Sequence, residues 1–256
     1  MGRRLGQHWL VDGAAAAFIV DSLALRPDES VIEIGGGRGA LTEHLVDRGG
    51  RRLVIELDDD CAAGLSARFG EAIELVHRDV LDVRLAELCG GPWAVVGNLP
   101  YYATSPILLW LCEQATLVSR AVVMMQAEVA DRVLAAPGTK DRGRLSVAVQ
   151  YRFRGRRVLQ VKPGSFSPPP AVNSTVIELE ALPAPAVSVP DEARFFAVVE
   201  GGFRHRRKTI ATALASSLAP RAEVEAALEA ADIDPKRRAE TLSLAEWAAL
   251  AKGLTP

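Results

Sequence analysis

The sequence predicts an α/β fold, a doubly wound, mostly parallel sheet with an antiparallel edge, followed by a small all-helical C-terminal domain. Three observations support this class. Strand-length apolar runs alternate with segments of helical spacing, a glycine turn follows the first run, and a proline-rich linker precedes a helical tail. Such alternation is typical of right-handed βαβ units, in which helices cover both faces of a parallel sheet.

The parallel strands are predicted from runs rich in valine and isoleucine. These runs are 30–34, 52–57, 73–76, 93–96 and 120–125. Apolar residues at helical spacing lie between the runs, at 40–48, 59–69 and 106–114. Because the carboxyl ends of parallel strands meet at one edge, the loops that follow these strands are expected to form the ligand crevice.

The pattern changes after residue 125. Helices are predicted at 126–136 and 145–151, and strands at 156–161 and 174–179. Prolines in 166–170 separate the two strands, which fits an antiparallel pair at a sheet edge, where proline does least damage.

A linker divides the chain into two predicted domains, 1–182 and 183–256. Residues 182–190 contain three prolines in nine residues, and such a segment continues neither a helix nor a strand. Beyond it, helices are predicted at 191–201, 207–215, 223–230 and 244–252, with Asp191 and Ser243 as N-terminal signals.

The composition excludes several classes of protein. The 256 residues are 49% hydrophobic with a formal charge of −2, so the chain can bury a core without disulfides or metals. Cys61, Cys89 and Cys112 are widely separated, which argues against a disulfide framework and a zinc site. The apolar segment 13–20 is too short to span a bilayer. We expect a cytoplasmic protein that binds neither metal nor membrane.

The glycine turn after the first strand is the strongest local motif. Gly35, Gly37 and Ala40 match G-x-G-x-x-A of dinucleotide enzymes, whereas Glu33, Gly35, Gly37 and Gly39 match E-x-G-x-G-x-G of S-adenosylmethionine enzymes. Either turn lets a nucleotide cofactor approach the backbone at a helix N-terminus. The turn alone does not choose between these cofactors.

Acidic residues after the next two strands narrow the choice. Glu56 lies about twenty residues beyond the turn, where an acid holds the ribose hydroxyls of either cofactor. Asp79 follows the third strand beside Val80, and a carboxylate there can accept a hydrogen bond from an adenine amino group. Asp79 therefore favours S-adenosylmethionine, although it could also be a capping aspartate.

The chemistry is indicated by Asn98, Leu99, Pro100 and Tyr101, which follow the fourth strand. An exocyclic amine is a poor nucleophile because its lone pair is delocalised into the ring. The Asn98 oxygen and the Leu99 carbonyl can accept its hydrogens and free that lone pair, while Pro100 stiffens the turn and Tyr101 stacks on the base. This is positioning and electrostatic catalysis, which needs no conventional general base.

Eight segments together resemble the ribosomal RNA adenine N6-dimethyltransferases that act on small-subunit RNA. The resemblance covers nearly the whole chain. The segments are 6–10, 33–37, 54–58, 98–106, 143–150, 166–174, 206–209 and 233–241.

The resemblance implies a Rossmann-like methyltransferase domain at 1–182 and a helical RNA-binding domain at 183–256. It implies transfer of methyl groups from S-adenosylmethionine to N6 of two adjacent adenosines near the 3′ end of small-subunit rRNA, each dimethylated, during ribosome biogenesis. The partner is then the immature 30S subunit, and we expect a monomer. The implied cofactor contacts are His8, Leu10, Gly35, Gly37, Glu56, Leu57, Asp79, Val80 and Asn98.

The chain departs from the family pattern at four positions. His8 replaces a usual asparagine, so an imidazole takes over or alters a contact to the methionine end of the cofactor. Gly36 replaces a proline, which loosens the turn without removing its donors. Ala171 and Asn173 replace lysine and aspartate, which removes one phosphate contact.

Basic residues are clustered despite the near-neutral total charge. Residues 152–162 contain five cations and no acid, and 204–208 contain four cations beside His205. Phosphates bind such clusters through counterion release. The target adenosine must leave its stack to reach Tyr101, which is easiest in a loop or single strand. The predicted RNA-binding residues are Arg144, Arg154, Arg156, Arg157, Phe166, Arg204, Arg206, Arg207 and Lys208.

Three alternatives remain open from the sequence. The first is an enzyme that methylates large-subunit rRNA, a sister group with similar motifs. The second is a ribosome-assembly factor that acts mainly by binding immature subunits. The third is a nicotinamide-dependent oxidoreductase, which rests only on the G-x-G-x-x-A match.

Overall fold

The structure is a computed structural model that describes residues 8–88 and 91–254. Arg3, Arg4, the first two residues of segment 6–10, and Cys89 lie outside the described residues. The chain forms two compact units. Unit 1 comprises Met1–Ala130 and Arg154–Ala181, and unit 2 comprises Asp131–Phe153 and Leu182–Pro256.

A seven-stranded mixed sheet in the order β4-β3-β2-β5-β6-β9-β7 is the framework of unit 1. β2 pairs in parallel with β3 and β5, β3 with β4, and β5 with β6. The strands of this sheet are β2 (Val31–Ile34), β3 (Arg52–Glu56), β4 (Glu74–His77), β5 (Trp93–Asn98), β6 (Val118–Gln126), β7 (Phe153–Val161) and β9 (Ser174–Ala181). This arrangement confirms the predicted α/β class with its mostly parallel sheet.

The register of the parallel strands aligns their carboxyl ends. Ile34 of β2 is opposite Ile55 of β3, and Glu56 of β3 is opposite His77 of β4. β2 and β5 are neighbours although two strands of the sheet, β3 and β4, separate them in sequence order, so the strand order reverses between them. A ligand crevice is expected outside the sheet at such a switch point.

The antiparallel edge is also as predicted. β9 runs antiparallel to β6, from Ser174 opposite Gln126 to Glu180 opposite Arg120, and β7 is the outermost strand beyond β9. A separate two-stranded sheet pairs β1 (Trp9–Leu10) with β8 (Phe166–Ser167) in antiparallel orientation.

The helices agree with the predictions except near the N-terminus. The helix α1 (Gly13–Asp21) was not predicted, because its alanine-rich run shows no clear apolar period. Asp12 caps this helix by accepting from the Ala15 N–H at 3.1 Å. The predicted helix 40–48 is limited to α2 (Thr42–Leu45), and the residues after it form a turn in which Arg48 N donates to Leu45 O. The first helices are α1 (Gly13–Asp21), α2 (Thr42–Leu45), α3 (Asp59–Phe69), α4 (Thr104–Glu113) and α5 (Ala127–Val133).

Unit 2 is built from helices around its own core. Asp191 accepts from the Ala193 N–H, and Ser243 forms a reciprocal capping box with Glu246, as the sequence indicates. Its helices are α6 (Arg144–Arg152), α7 (Glu192–Phe203), α8 (Ile210–Ala215), α9 (Arg221–Ala230) and α10 (Leu244–Gly253).

The two compact units differ from the predicted domains 1–182 and 183–256, because the helical unit also includes an earlier part of the chain. Residues 131–153 join the C-terminal unit because α6 contributes Val147 and Tyr151 to the cluster that contains Phe195 and Trp247. The Tyr151 and Phe195 rings stack with centroids 5.0 Å apart. Burial of these large rings stabilises the unit.

Within residues 8–88 and 91–254, no helix is long and apolar enough to cross a membrane. The same residues contain no cluster of histidine, cysteine and carboxylate side chains suited to hold a metal ion.

Candidate active site

The glycine turn lies at the carboxyl end of β2 with its three predicted glycines in the left-handed region. Gly35, Gly37 and Gly39 have φ values of +72°, +53° and +82°, which L side chains rarely adopt. A Cβ on Gly37 would lie 2.6 Å from the Trp9 ring, whereas a Cβ on Gly35 would meet nothing within 4 Å. The turn is therefore covered at Gly37 and open beside Gly35.

Glu56 joins this turn to the end of β3. One carboxylate oxygen accepts from the Gly37 N–H at 2.8 Å, and the other accepts from the N–H groups of Leu57 and Asp58, each at 2.8 Å. A carboxylate offers about four acceptor sites, so Glu56 retains the capacity for the ribose hydroxyls expected from the sequence. Its contact with a cofactor stays a prediction.

Glu33 is a buried carboxyl beneath the turn. It is 1% exposed, and its Oε2 accepts from the Thr42 hydroxyl at 2.7 Å. Burial, assisted by the nearby charge of Glu56, raises the pKa of Glu33 to about 7. The sequence marks Glu33 as part of the motif, but its titration near neutral pH follows only from its burial.

Asp79 begins the turn that follows β4. Its side chain accepts from the Leu81 N–H at 3.0 Å and so caps this turn. Its contact with an adenine amino group stays a prediction. Val80 is buried, whereas Leu57 and Leu81 are 54% and 42% exposed. Exposed leucines after β3 and β4 provide apolar contacts of the kind that a purine ring uses. Leu81 is not among the residues predicted from the sequence, although it lies next to Asp79 and Val80.

Asn98 ends β5, next to the strand that carries the glycine turn. Its Nδ2 donates to the His8 carbonyl at 3.4 Å, which leaves the side-chain oxygen as an acceptor. Leu99 as a whole residue is 1% exposed, and its N–H donates to Met124 O at 3.0 Å. Leu99 therefore anchors the loop, and contact of its carbonyl with substrate stays a prediction.

Tyr101 is tethered at its hydroxyl. The oxygen lies 2.8 Å from the Ser174 hydroxyl, at the start of β9. Partial burial raises the pKa of Tyr101, and the hydrogen bond with Ser174 opposes that shift. The His8 ring lies 5.4 Å from the Tyr101 ring, and the His8 Nδ1 is 2.7 Å from Pro168 O. The structure thus brings His8, Asn98 and Tyr101 together.

Leu10 and Phe166 are core residues. They are paired in the β1–β8 sheet and are 5% and 4% exposed. The buried ring of Phe166 is not accessible to RNA, so the sequence-based assignment of Phe166 to RNA binding needs correction. Leu10 supports Trp9, which covers the glycine turn. A cavity of about 330 Å³ opens there between Trp9, Gly37, Arg38 and the length of α3.

Two of the predicted RNA-binding residues lie on β7 in unit 1, and each has an acidic neighbour on the adjacent strand β9. Arg156 forms an ion pair with Glu178, and Arg154 lies 4.0 Å from Glu180. The sequence run contains no acid, but the neighbouring strand supplies two. Their charge is therefore partly neutralised.

The turn between α7 and α8 in unit 2 carries a more exposed basic cluster. Arg204, Arg206, Arg207 and Lys208 are all exposed. The Arg206 guanidinium donates to the Lys140 carbonyl at 2.7 Å, which connects this turn to the loop before α6. Arg144, at the start of α6, is 2.9 Å from Glu200.

A family model described as ribosomal RNA adenine dimethylase matches residues 2–255. The chain belongs to this family. The ribosomal RNA small subunit methyltransferase A of Geobacter metallireducens is 42% identical to this dimethylase over 260 residues, covering 98% of this chain and 94% of that protein.

Two solved structures share the fold of this dimethylase. The crystal structure of the 23S rRNA methyltransferase ErmE is 30% identical, with a TM-score of 0.70 over 96% of this chain and 99% of that chain. The crystal structure of a dimethyladenosine transferase from Plasmodium falciparum has a TM-score of 0.81 at 21% identity, over 95% of this chain and 96% of that chain.

The site of the dimethylase fits S-adenosylmethionine, the methyl donor of the family. Space is open beside Gly35, the Glu56 carboxylate lies at the end of β3, and the exposed Leu57 and Leu81 follow the next two strand ends. These features match the parts of the cofactor: the glycine backbone can approach it closely, the carboxylate can accept from its ribose hydroxyls, and the apolar side chains can contact its adenine.

Gly97 positions Asn98 and was not singled out in the sequence. A Cβ at Gly97 would lie 2.7 Å from the Ile34 carbonyl, a backbone atom that ends β2. We expect Gly97→Ala to push the two strand ends apart and to lower kcat by about a hundredfold, since displacement of a reacting group by about 1 Å costs that much. The assay is steady-state methyl transfer. Gly64→Ala is the matched control, because a Cβ there meets nothing within 4 Å; equal activities of the two variants would contradict the prediction.

Proposed function

We propose that this dimethylase transfers methyl groups from S-adenosylmethionine to N6 of adenosines in small-subunit ribosomal RNA, with two adjacent adenosines near the 3′ end each dimethylated. The observation that carries the proposal is the loop at Asn98 and Tyr101, which follows the strand next to the glycine turn. The 42% identity to a small-subunit enzyme supports this choice of RNA.

Cofactor binding is assigned to the predicted residues around the turn. Glu56 and the N–H groups beside Gly35 would hold the ribose and the methionine end, and Asp79 with Val80 would contact the adenine. S-adenosylmethionine supplies an electrophilic methyl group when it is bound. His8 lies beside Tyr101 and Asn98. A contact between its imidazole and the cofactor would therefore fall at the methionine end, close to the methyl group that is transferred.

Asn98 and Leu99 act on the target amine. Their oxygens would accept its two hydrogens and favour a tetrahedral nitrogen whose lone pair points to the methyl group. As the N–C bond forms and the C–S bond breaks, the nitrogen becomes cationic and then releases one proton to solvent. Fixed acceptors stabilise that developing positive charge without reorganisation. Tyr101, tethered at its hydroxyl, would stack on the adenine.

RNA binding is assigned mainly to the exposed turn of unit 2. Arg204, Arg206, Arg207 and Lys208 present four cations in five residues, and they would contact phosphates. Arg144 would add to this surface. In unit 1, Arg154 and Arg156 would contribute less, because Glu180 and Glu178 neutralise part of their charge. Arg157 would add to the contacts on the same strand.

The test is incubation with undermethylated small subunits and labelled S-adenosylmethionine, followed by mass mapping of the RNA. We expect label only in adenosine, with two methyl groups at each of two neighbouring bases. Absence of label in adenosine would contradict the enzymatic proposal. We infer that the protein is a cytoplasmic monomer that acts on the immature 30S subunit. Sedimentation of the reaction mixture tests its oligomeric state and its association with the subunit.

Large-subunit RNA is the second candidate substrate. The 30% identity to the 23S rRNA methyltransferase ErmE favours it. The same assay with deproteinised large-subunit RNA separates the two proposals, since each predicts label in one RNA and not in the other.

A further inference from the structure

Tyr102 is an exposed aromatic residue beside the proposed catalytic loop. It is 67% exposed, the highest value of any large apolar side chain within residues 8–88 and 91–254. Neither the proposed chemistry nor the proposed cofactor contacts use it. A tyrosine ring exposed to this extent leaves most of its apolar area in water, and exposed aromatic residues of this kind are frequent at recognition surfaces.

The backbone around Tyr102 is held at several points. Ala103 N and the Thr104 hydroxyl both donate to Pro100 O at 3.0 Å, and Leu99 N donates to Met124 O at 3.0 Å. The preceding residue, Tyr101, is tethered to Ser174. The Tyr102 ring is therefore presented by an ordered turn and loses only its side-chain rotation on binding, which favours a binding role.

RNA supplies the chemical group that matches this ring. An adenosine that leaves its stack to reach Tyr101 also removes one stacking partner from its neighbour in the strand. Aromatic side chains bind such unstacked bases through their faces, with little dependence on the base. Tyr102 directly follows Tyr101 in the chain, so the base next to the target adenosine is the candidate partner for its ring.

We propose that Tyr102 stacks on the nucleobase that flanks the target adenosine. The proposal rests on the proposed function, because it takes single-stranded or looped RNA as the substrate. Tyr102 is then a substrate-binding residue that fixes the position of the strand, and Tyr101 contacts the target base itself. No charge or proton transfer is assigned to Tyr102.

Steady-state methylation of undermethylated small subunits tests the proposal. We expect Tyr102→Ala to raise the KM for subunits about ten- to a hundredfold, the range that corresponds to one lost base stack, while the KM for S-adenosylmethionine stays unchanged. Tyr102→Phe keeps the ring and should behave as the wild type. Phe18→Ala removes another exposed aromatic side chain, 46% exposed on α1, and is the matched control.

A direct readout separates failure of this proposal from failure of the proposed function. A short adenosine-rich RNA with one 2-aminopurine should lose fluorescence when it binds the wild type, the Phe variant or the Phe18→Ala control, because stacking on tyrosine quenches it. With Tyr102→Ala the quenching should be lost. Equal quenching by wild type and Tyr102→Ala, or a Phe variant as defective as the Ala variant, would overturn the stacking role. Quenching without methyl transfer to subunits would instead contradict the proposed function.

Discussion

Asn98→Ala is expected to lower kcat for methyl transfer about a hundred- to a thousandfold, the loss typical of removing one preorganised polar contact to developing charge. The Asn98 oxygen is the side-chain acceptor proposed for the target amine, and alanine leaves only the Leu99 carbonyl. Because the loop backbone is anchored at Met124 and Pro100, the fold should persist. The measurement is single-turnover methylation of undermethylated small subunits, together with calorimetric binding of S-adenosylhomocysteine.

The chain offers a matched control in its other asparagine. Asn173 has an exposed side chain and contributes its backbone carbonyl to the Ala127 N–H, so Asn173→Ala should retain activity. An Asn98→Ala enzyme within about fivefold of wild type would show that the side-chain acceptor is unnecessary. If Asn98→Ala still binds subunits and rescues an assembly defect in cells, the assembly-factor alternative gains support.

Glu33→Gln is expected to remove a pH dependence of stability. The pKa of Glu33 is about 7 in the folded chain, against an ordinary value of 4.5 for a glutamate in water. Between these values the folded state binds a proton that the unfolded state has released, so stability falls as pH rises through this window. The loss approaches about 3 kcal/mol at pH 8, from about 1.36 kcal/mol per pKa unit. Below pH 4.5 both states are protonated and the effect disappears.

Urea unfolding followed by tryptophan fluorescence measures this difference. Glutamine can still accept from the Thr42 hydroxyl but does not ionise, so the variant should gain stability over wild type from pH 5 to pH 8. Glu43→Gln, an exposed neighbour on α2 that pairs with Arg68, should follow the wild-type profile. Parallel profiles for wild type and Glu33→Gln would mean that Glu33 is already ionised in the folded chain.

The sequence predicts the positions of those site residues that depend only on the order of the strands and on the turns that follow them. Gly35 follows β2, while Glu56 and Asn98 are the last residues of β3 and β5. Strand periodicity with turn chemistry is enough to bring these strand ends to one edge. The positions of these residues therefore agree with the prediction. The α1 helix was missed because an apolar run without a polar face gives no helical period.

Contacts between distant segments could not be predicted from the sequence. The ion pairs of Arg154 and Arg156 with Glu180 and Glu178 require the register of β7 beside β9. The burial of Phe166 depends on its pairing with Leu10, which lies more than 150 residues away. A local sequence pattern does not show these partners. The basic run and Phe166 were therefore predicted to be more accessible to RNA than they are in the structure.

The division of the chain has a consequence for protein engineering. Since α6 belongs to the helical unit, a chain terminated at residue 182 would retain that helix while losing the helices it packs against. Val147 and Tyr151 would then face solvent, and such a fragment would tend to aggregate. A soluble catalytic fragment would require excision of 131–153 and a short connection in its place, so the helical unit is an insertion plus a tail and not a removable C-terminal module.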